Sequence, residues 1–173
     1  MGPVFRGRYT AELEGAFVVF VLGMRVNKLW ALHKWLPVAT SMGPMIRHLM
    51  AHREVGLLHS QSYIYWRGVA FVQYWRSFEQ LERFARDLSL PHLQAWKQFN
   101  KAIGANGSVG IWHETYLVQP GQYECIFGNT PRMGLALAGM YMPASGARET
   151  AKRRLGLKGE PAVPVYENPP AIP

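Results

Sequence analysis

The most informative candidate for a functional side chain is His92, which follows Pro91 at the start of a predicted helix. It shares one helix face with Trp96 and Phe99, at spacings of four and seven residues. A histidine on such a face is either a hydrogen-bonded core residue or a ligand directed into a pocket. Because the positive helix N-terminus disfavours imidazolium, a neutral nitrogen would be available there.

A second histidine, His113, stands beside Glu114 on a predicted strand from Ser108 to Val118. Neighbouring strand residues point to opposite faces, so these two side chains cannot act as a direct pair. We expect one to face a pocket on the helix side and the other a dimer interface. His113 could be a general acid or base, or it could make a structural hydrogen bond.

Three further candidates lie at strand ends. Arg25 could clamp a carboxylate bidentately, although an ion pair with Glu12 or Glu14 explains it equally well. Tyr74 and Trp75 end another predicted strand, where they are either pocket walls or aromatic core.

Several kinds of chemistry lack support in the sequence. His48 and His52 are four residues apart, without the intervening Glu of the zinc-protease pattern. Cys125 is the single cysteine, so the chain cannot form an internal disulfide, which suits a reducing cytoplasm. No Ser–His–Asp signature, P-loop or dinucleotide fingerprint supports a hydrolase, a kinase or a nicotinamide oxidoreductase.

The elements that must position these residues follow a clear order. The pattern predicts a strand over Ala16–Met24 and a helix over Leu36–Arg53 interrupted at Gly43–Pro44, where Pro44 either kinks the helix or starts a second one. It then predicts a hairpin of Leu58–Trp66 and Val69–Trp75, a helix over Phe78–Arg86 capped by Ser77, the Pro91 helix, and the Ser108–Val118 strand. This order is the ferredoxin-like βαββαβ arrangement, an α+β fold. Because the first strand is apolar on both faces, we expect a second copy's sheet to cover the open face, giving a homodimer.

Composition bounds the rest of the prediction. The 173 residues suit one core, and eight Phe, eight Tyr and six Trp suit either that core or a pocket for flat apolar ligands. The basic residues that give the net charge of +8 are scattered along the chain, and no nucleic-acid motif stands out. No apolar run is long enough for a transmembrane span and no signal peptide is evident, so we expect a cytoplasmic protein.

The chain is expected to divide into four regions, namely an N-terminal extension (1–15), the α+β domain (16–118), a packed C-terminal extension (119–160) and a Pro-rich tail (161–173). Between Gln122 and Ala138 there are too many apolar residues for a free linker. We therefore expect that segment to pack against the domain or a partner subunit.

Four segments together resemble a monooxygenase-like family named after a monooxygenase of fumagillin biosynthesis. They are Gly23–Lys28, Gln73–Glu79, His92–Trp96 and Gly110–Tyr116. The resemblance runs from about Ala16 to Leu155. It implies a dimeric α+β barrel, the fold of cofactor-independent monooxygenases and of several haem proteins.

The resemblance implies two kinds of site. In the haem branch, His92 is the metal ligand of haem b, with Trp96, Trp75 and Phe99 as further cofactor contacts and Arg25 or Arg132 at the propionates. In the other branch there is no cofactor, and His113, Arg25 and Tyr74 are the catalytic candidates. The expected function is a monooxygenase acting on a hydrophobic small molecule between sheet and helices. The alternatives are a non-catalytic binder of haem or an apolar ligand, and a structural dimer with a degenerate site.

Overall fold

The computed structural model describes residues 2–86 and 107–159. They form two compact units, one of residues 17–117 and one that joins the N-terminal residues up to Ala16 with the chain from Val118 onward. The predicted helix that carries His92, Trp96 and Phe99 lies outside the described residues, as does the Pro-rich tail.

The bounds of the elements are as follows. The strands are β1 (Phe5–Glu12), β2 (Phe17–Val26), β3 (Leu57–Tyr65), β4 (Gly68–Trp75), β5 (Val109–Val118), β6 (Phe127–Thr130) and β7 (Met140–Pro143). The helices are α1 (Leu32–Ala51), α2 (Phe78–Arg86), α3 (Leu135–Ala138) and α4 (Ala151–Arg154), with single 3₁₀ turns at Arg53–Val55 and Gly146–Arg148.

The unit of residues 17–117 contains a four-stranded sheet in the order β3-β4-β2-β5. Strand β4 pairs antiparallel with both β2 and β3. With α1 between β2 and β3, and α2 between β4 and β5, this is the predicted ferredoxin-like arrangement. The α+β fold class expected from the sequence is therefore confirmed.

Local signals explain most element boundaries in this unit. The β3–β4 hairpin turns at Arg67, whose φ is +68°. Ser77 Oγ accepts the Gln80 N–H at 3.2 Å and so caps α2, as predicted. Of the two alternatives at Pro44, the start of a second helix is wrong, because α1 runs through Gly43 and Pro44 as a single helix.

Two apolar clusters attach the helices to the sheet. One packs α1 and α2 on the sheet through Val18, Leu49, Leu57, Trp75, Leu81 and Phe84. The other packs α1 near the opposite ends of β2 and β4 through Met24, Val26, Val38 and Val109. The helices thus cover one sheet face, called here the helix side, and the opposite face is called the open side.

The second unit is a three-stranded sheet in the order β6-β1-β7, which the sequence did not predict. Its face carries Phe5, Tyr9, Phe127 and Tyr141 in mutual ring contact, and the Arg132 guanidinium lies over Phe5 and Tyr141. The apolar residues of the C-terminal extension therefore pack on strand β1 of the N-terminal extension.

Across residues 2–86 and 107–159, no helix is both long enough and apolar enough to span a bilayer.

Candidate functional site

Four side chains line up across the helix side of the four-stranded sheet. They are Ser60 on β3, Gln73 on β4, Phe20 on β2 and His113 on β5, and we call them the central row. Ser60 and Phe20 are the two cross-strand partners of Gln73. The Phe20 and His113 rings lie 5.5 Å apart across the β2–β5 edge.

Strand alternation places the row on the helix side. Val18 and Trp75 pack in the cluster under α1 and α2. Phe20 and Gln73 are each two residues away from them and so share their face. His113 is four residues from Val109, which packs against α1, and it therefore points the same way.

Three of the four side chains in the row are polar. Gln73 is only 2% exposed, and its Oε1 accepts the Trp75 Nε1–H at 3.0 Å. Ser60 Oγ is buried and has no hydrogen-bond partner among the described residues. Phe20 is half-buried, while His113 is exposed within the described part of the chain. A buried polar group is normally satisfied, so Ser60 calls for an explanation.

The three predicted catalytic residues do not lie together within one chain. Tyr74 pairs with Val19 and Arg25 pairs with Gly68, which places both on the open side, opposite His113. The two are also far apart, because Arg25 lies six residue steps along β2 from Val19, the partner of Tyr74. At about 3.3 Å per residue, that is roughly 20 Å.

Of the predicted cofactor contacts, the structure describes only Trp75. Its side chain is fully buried in the core beneath α1 and α2, with no exposed surface. His92, Trp96 and Phe99 lie outside the described residues. Within the described ranges, no cluster of three or more His, Cys, Asp or Glu residues could hold a metal ion.

On the open side, the Trp112 indole packs against Gly23, where an added Cβ would come within 2.8 Å of the ring. Trp112 Nε1–H donates to Tyr65 Oη at 3.3 Å, and the Tyr65 hydroxyl donates to the Met24 carbonyl at 2.7 Å. Further along β5, the Tyr116 hydroxyl donates to Glu114, and this bond raises the pKa of Tyr116. Glu114 therefore faces away from His113, as the sequence predicted.

The open side also holds His59, which pairs with Tyr74. A register shift between Leu57 and His59 turns His59 to this face. Burial lowers the pKa of His59, and the nearby Arg53 guanidinium lowers it further. The neutral imidazole is thus favoured in the folded protein.

A cavity of about 210 Å³ lies in the second unit, lined in part by Thr10, Leu13, Tyr123, Glu124 and Arg154. Two of its three charged groups bind each other, since Arg154 Nη2 lies 2.7 Å from Glu124 Oε2, and the third, Glu12, pairs with Arg148. Nearby, burial raises the pKa of the Cys125 thiol, which disfavours the reactive thiolate.

Comparison with known proteins assigns the family. Residues 17–135 match the profile of the family described as monooxygenase af470-like, which is more than half of the chain. The chain belongs to the monooxygenase af470-like family. The matched segment contains the whole central row and the four-stranded sheet that carries it.

A curated relative is similar over much of the chain. Monooxygenase af470 of Aspergillus fumigatus is 28% identical over 153 residues, a match that covers 75% of this chain and 53% of the relative. The chain therefore spans about half the length of that relative. Among solved structures, a dimeric ferredoxin-like protein from an uncultured marine organism matches with a TM-score of 0.35 and 14% identity. That match covers 61% of this chain and 96% of the other.

Sequence reasoning predicted only His113 of the central row and missed Phe20, Gln73 and Ser60 as site residues. The signal for Gln73 was available, because its polar side chain follows the apolar run from Val69 to Val72 within a central strand. Ser60 had no such signal, since its face depends on the register shift that precedes it.

Proposed function

We propose that this chain is a monooxygenase-type enzyme that acts on a hydrophobic small molecule at the helix side of the four-stranded sheet. The observation that carries the proposal is the central row, a line of polar and aromatic side chains between two apolar clusters, within the segment that matches the family. Apolar walls with a few directed polar groups are what small-molecule sites usually offer.

The electron balance of the reaction limits the substrate. One oxygen atom enters the substrate and the other leaves as water, so four electrons reach O₂. Without an external reductant, all four come from the substrate, and a CH₂ group is oxidised to a carbonyl, R₂CH₂ + O₂ giving R₂C=O + H₂O. The first step removes a C–H proton, and His113 is the base that we assign to it.

In this mechanism, His113 holds the proton taken from the CH₂ carbon while that carbon donates electrons to O₂ and forms the new C–O bond. As the O–O bond breaks, the same carbon loses its second C–H proton, and the electron pair of that bond forms the C=O bond. That proton and the one returned by the imidazolium both go to the oxygen that leaves as water. Phe20 supports the imidazole through its ring contact and presents an apolar surface to the substrate.

The described residues do not by themselves form a haem-binding wall. Trp75 is fully buried, and Arg25 lies on the sheet face opposite His113. No step is therefore assigned to haem, and haem b bound by His92 with Trp96 and Phe99 stays a prediction. Titration with haem, comparing wild type with His92→Ala, tests it directly by the Soret band.

A homodimer through the open side is the assembly that we propose for this enzyme. The centre of that face carries Val19, Val21, Ala70 and Val72, and the Trp112 and Tyr65 rings extend it. A sheet face of this composition is stabilised when a second apolar face covers it.

The decisive experiment follows ¹⁸O₂ into a polycyclic ketone whose CH₂ group is made acidic by the carbonyl. We expect one labelled atom in the product and one in water. His113→Gln should lower turnover by about 10²- to 10⁴-fold, while His33→Gln, on an exposed position of α1, should leave it unchanged. Binding without oxygen uptake across a panel of such ketones would instead indicate a non-catalytic binding protein.

A further inference from the structure

We propose that Gln73 and Ser60 bind an oxygen atom of the substrate, which selects hydrophobic molecules that carry a carbonyl or hydroxyl group at one end. The inference rests on the proposed function, because it places the substrate on the same central row. It concerns Gln73 and Ser60 rather than His113, so a binding measurement without turnover can test it.

The orientation of the Gln73 amide is set by Trp75. An indole nitrogen is only a donor, so the amide atom 3.0 Å from Trp75 Nε1 must be the oxygen. The amide NH₂ group is then directed away from the indole. Because Gln73 is 2% exposed, its polar amide is held in a place that bulk water barely reaches.

Ser60 supplies a second polar group beside that amide. The two residues are direct cross-strand partners, which puts their Cβ atoms about 5 Å apart. Ser60 Oγ is buried without a hydrogen-bond partner among the described residues. A single substrate oxygen between them could accept from the Gln73 NH₂ group and exchange a hydrogen bond with the Ser60 hydroxyl.

The rest of the row sets the distance between this oxygen and the reacting carbon. Phe20 lies between Gln73 and His113, and neighbouring strands are about 4.8 Å apart. His113 is therefore roughly 10 Å from Gln73 across the sheet. That span fits a flat ring system lying over Phe20, with its oxygen at Gln73 and its reactive CH₂ group at His113.

The test compares two probes that differ in one oxygen atom, 2-naphthol and naphthalene, by equilibrium dialysis against the full chain. A site built to hydrogen-bond an oxygen discriminates against the analogue that lacks it. We expect wild type to bind 2-naphthol about tenfold more tightly than naphthalene. Ser60→Ala and Gln73→Met should each abolish that preference while leaving naphthalene affinity unchanged.

The control is Ser62→Ala, the same substitution at an exposed serine two residues along β3, which should keep the preference. Circular dichroism checks that each variant folds. If Gln73→Met fails to fold because Trp75 loses its acceptor, the probe preference of Ser60→Ala alone tests the proposal. Loss of stability with an unchanged preference would mean that these residues only support the core.

The outcomes separate this inference from the proposed function. Equal wild-type affinity for both probes, or a preference that survives in Ser60→Ala, overturns the oxygen-binding role and leaves the monooxygenase proposal to the ¹⁸O₂ experiment. Failure of both probes to bind overturns the site on the central row, and the oxygen-binding role with it.

Discussion

At the scale of single residues, Gly23 determines how Trp112 lies on the open side. A Cβ at this position would overlap the indole at 2.8 Å, so the ring must move when Gly23 is replaced. We expect Gly23→Ala to lower the free energy of unfolding by about 1–3 kcal/mol. In a Trp112→Ala background the same change should cost less than about 0.5 kcal/mol. Urea denaturation of the four proteins measures this coupling, and equal costs in both backgrounds would exclude the steric explanation.

A second residue-scale prediction concerns pH. The native pKa of His59 is lowered below 6.5 by burial and by Arg53, so the folded state resists protonation. The unfolded chain therefore binds more protons, and stability should fall as the pH drops from 6.5 towards the native pKa, with no contribution above 6.5. His59→Gln should flatten this part of the stability profile, and Arg53→Met should weaken it. Urea midpoints at pH 7.5, 6.5 and 5.5 measure the effect, and identical profiles in wild type and His59→Gln would contradict it.

At the scale of elements, helix α4 is attached to its unit by Arg154. This side chain is 6% exposed, bonds Glu124 at 2.7 Å, and donates to the carbonyls of Arg148 and Glu149. Its removal takes a donor from the half-buried Glu124 carboxylate and from both carbonyls, of which the Glu149 carbonyl still accepts from Arg8 at 3.3 Å. We expect Arg154→Met to cost about 2 kcal/mol.

The adjacent Arg153 provides the matched control. Its side chain is 43% exposed and lies 3.6 Å from Glu149, so Arg153→Met should cost less than about 1 kcal/mol. Thermal unfolding followed by circular dichroism compares the two variants. A larger loss in Arg153→Met than in Arg154→Met would refute this account of α4.

At the scale of the whole molecule, the open side predicts self-association. Val21 pairs with Val72 near the centre of that face, where a charge would be buried against a second copy. We expect wild type to scatter light as a dimer across micromolar concentrations and Val21→Lys to be a folded monomer. Leu32→Lys adds the same charge on α1, where the side chain is 56% exposed, and should leave the dimer intact. A folded wild-type monomer throughout that range would rule the dimer out.

Much of the fold of residues 17–117 could be predicted because its signals are local. The turn at Arg67–Gly68, the Ser77 cap and the apolar strands each depend on residues within a few positions of one another. The same alternation correctly separated His113 from Glu114. The second helix considered at Pro44 was wrong, since α1 continues through Gly43 and Pro44.

The sequence by itself determined the order of strands and helices and the alternation of faces along each strand, because both follow from backbone geometry and short-range chemistry. Only the tertiary structure decided which strands are neighbours. It placed β5 beside β2, so that His113 meets Phe20, and paired β1 with β6 and β7 from the far end of the chain. It also set the register shift before His59 that leaves Ser60 beside Gln73. Such choices depend on packing summed over distant segments, and a one-residue change of register moves every side chain to the other face.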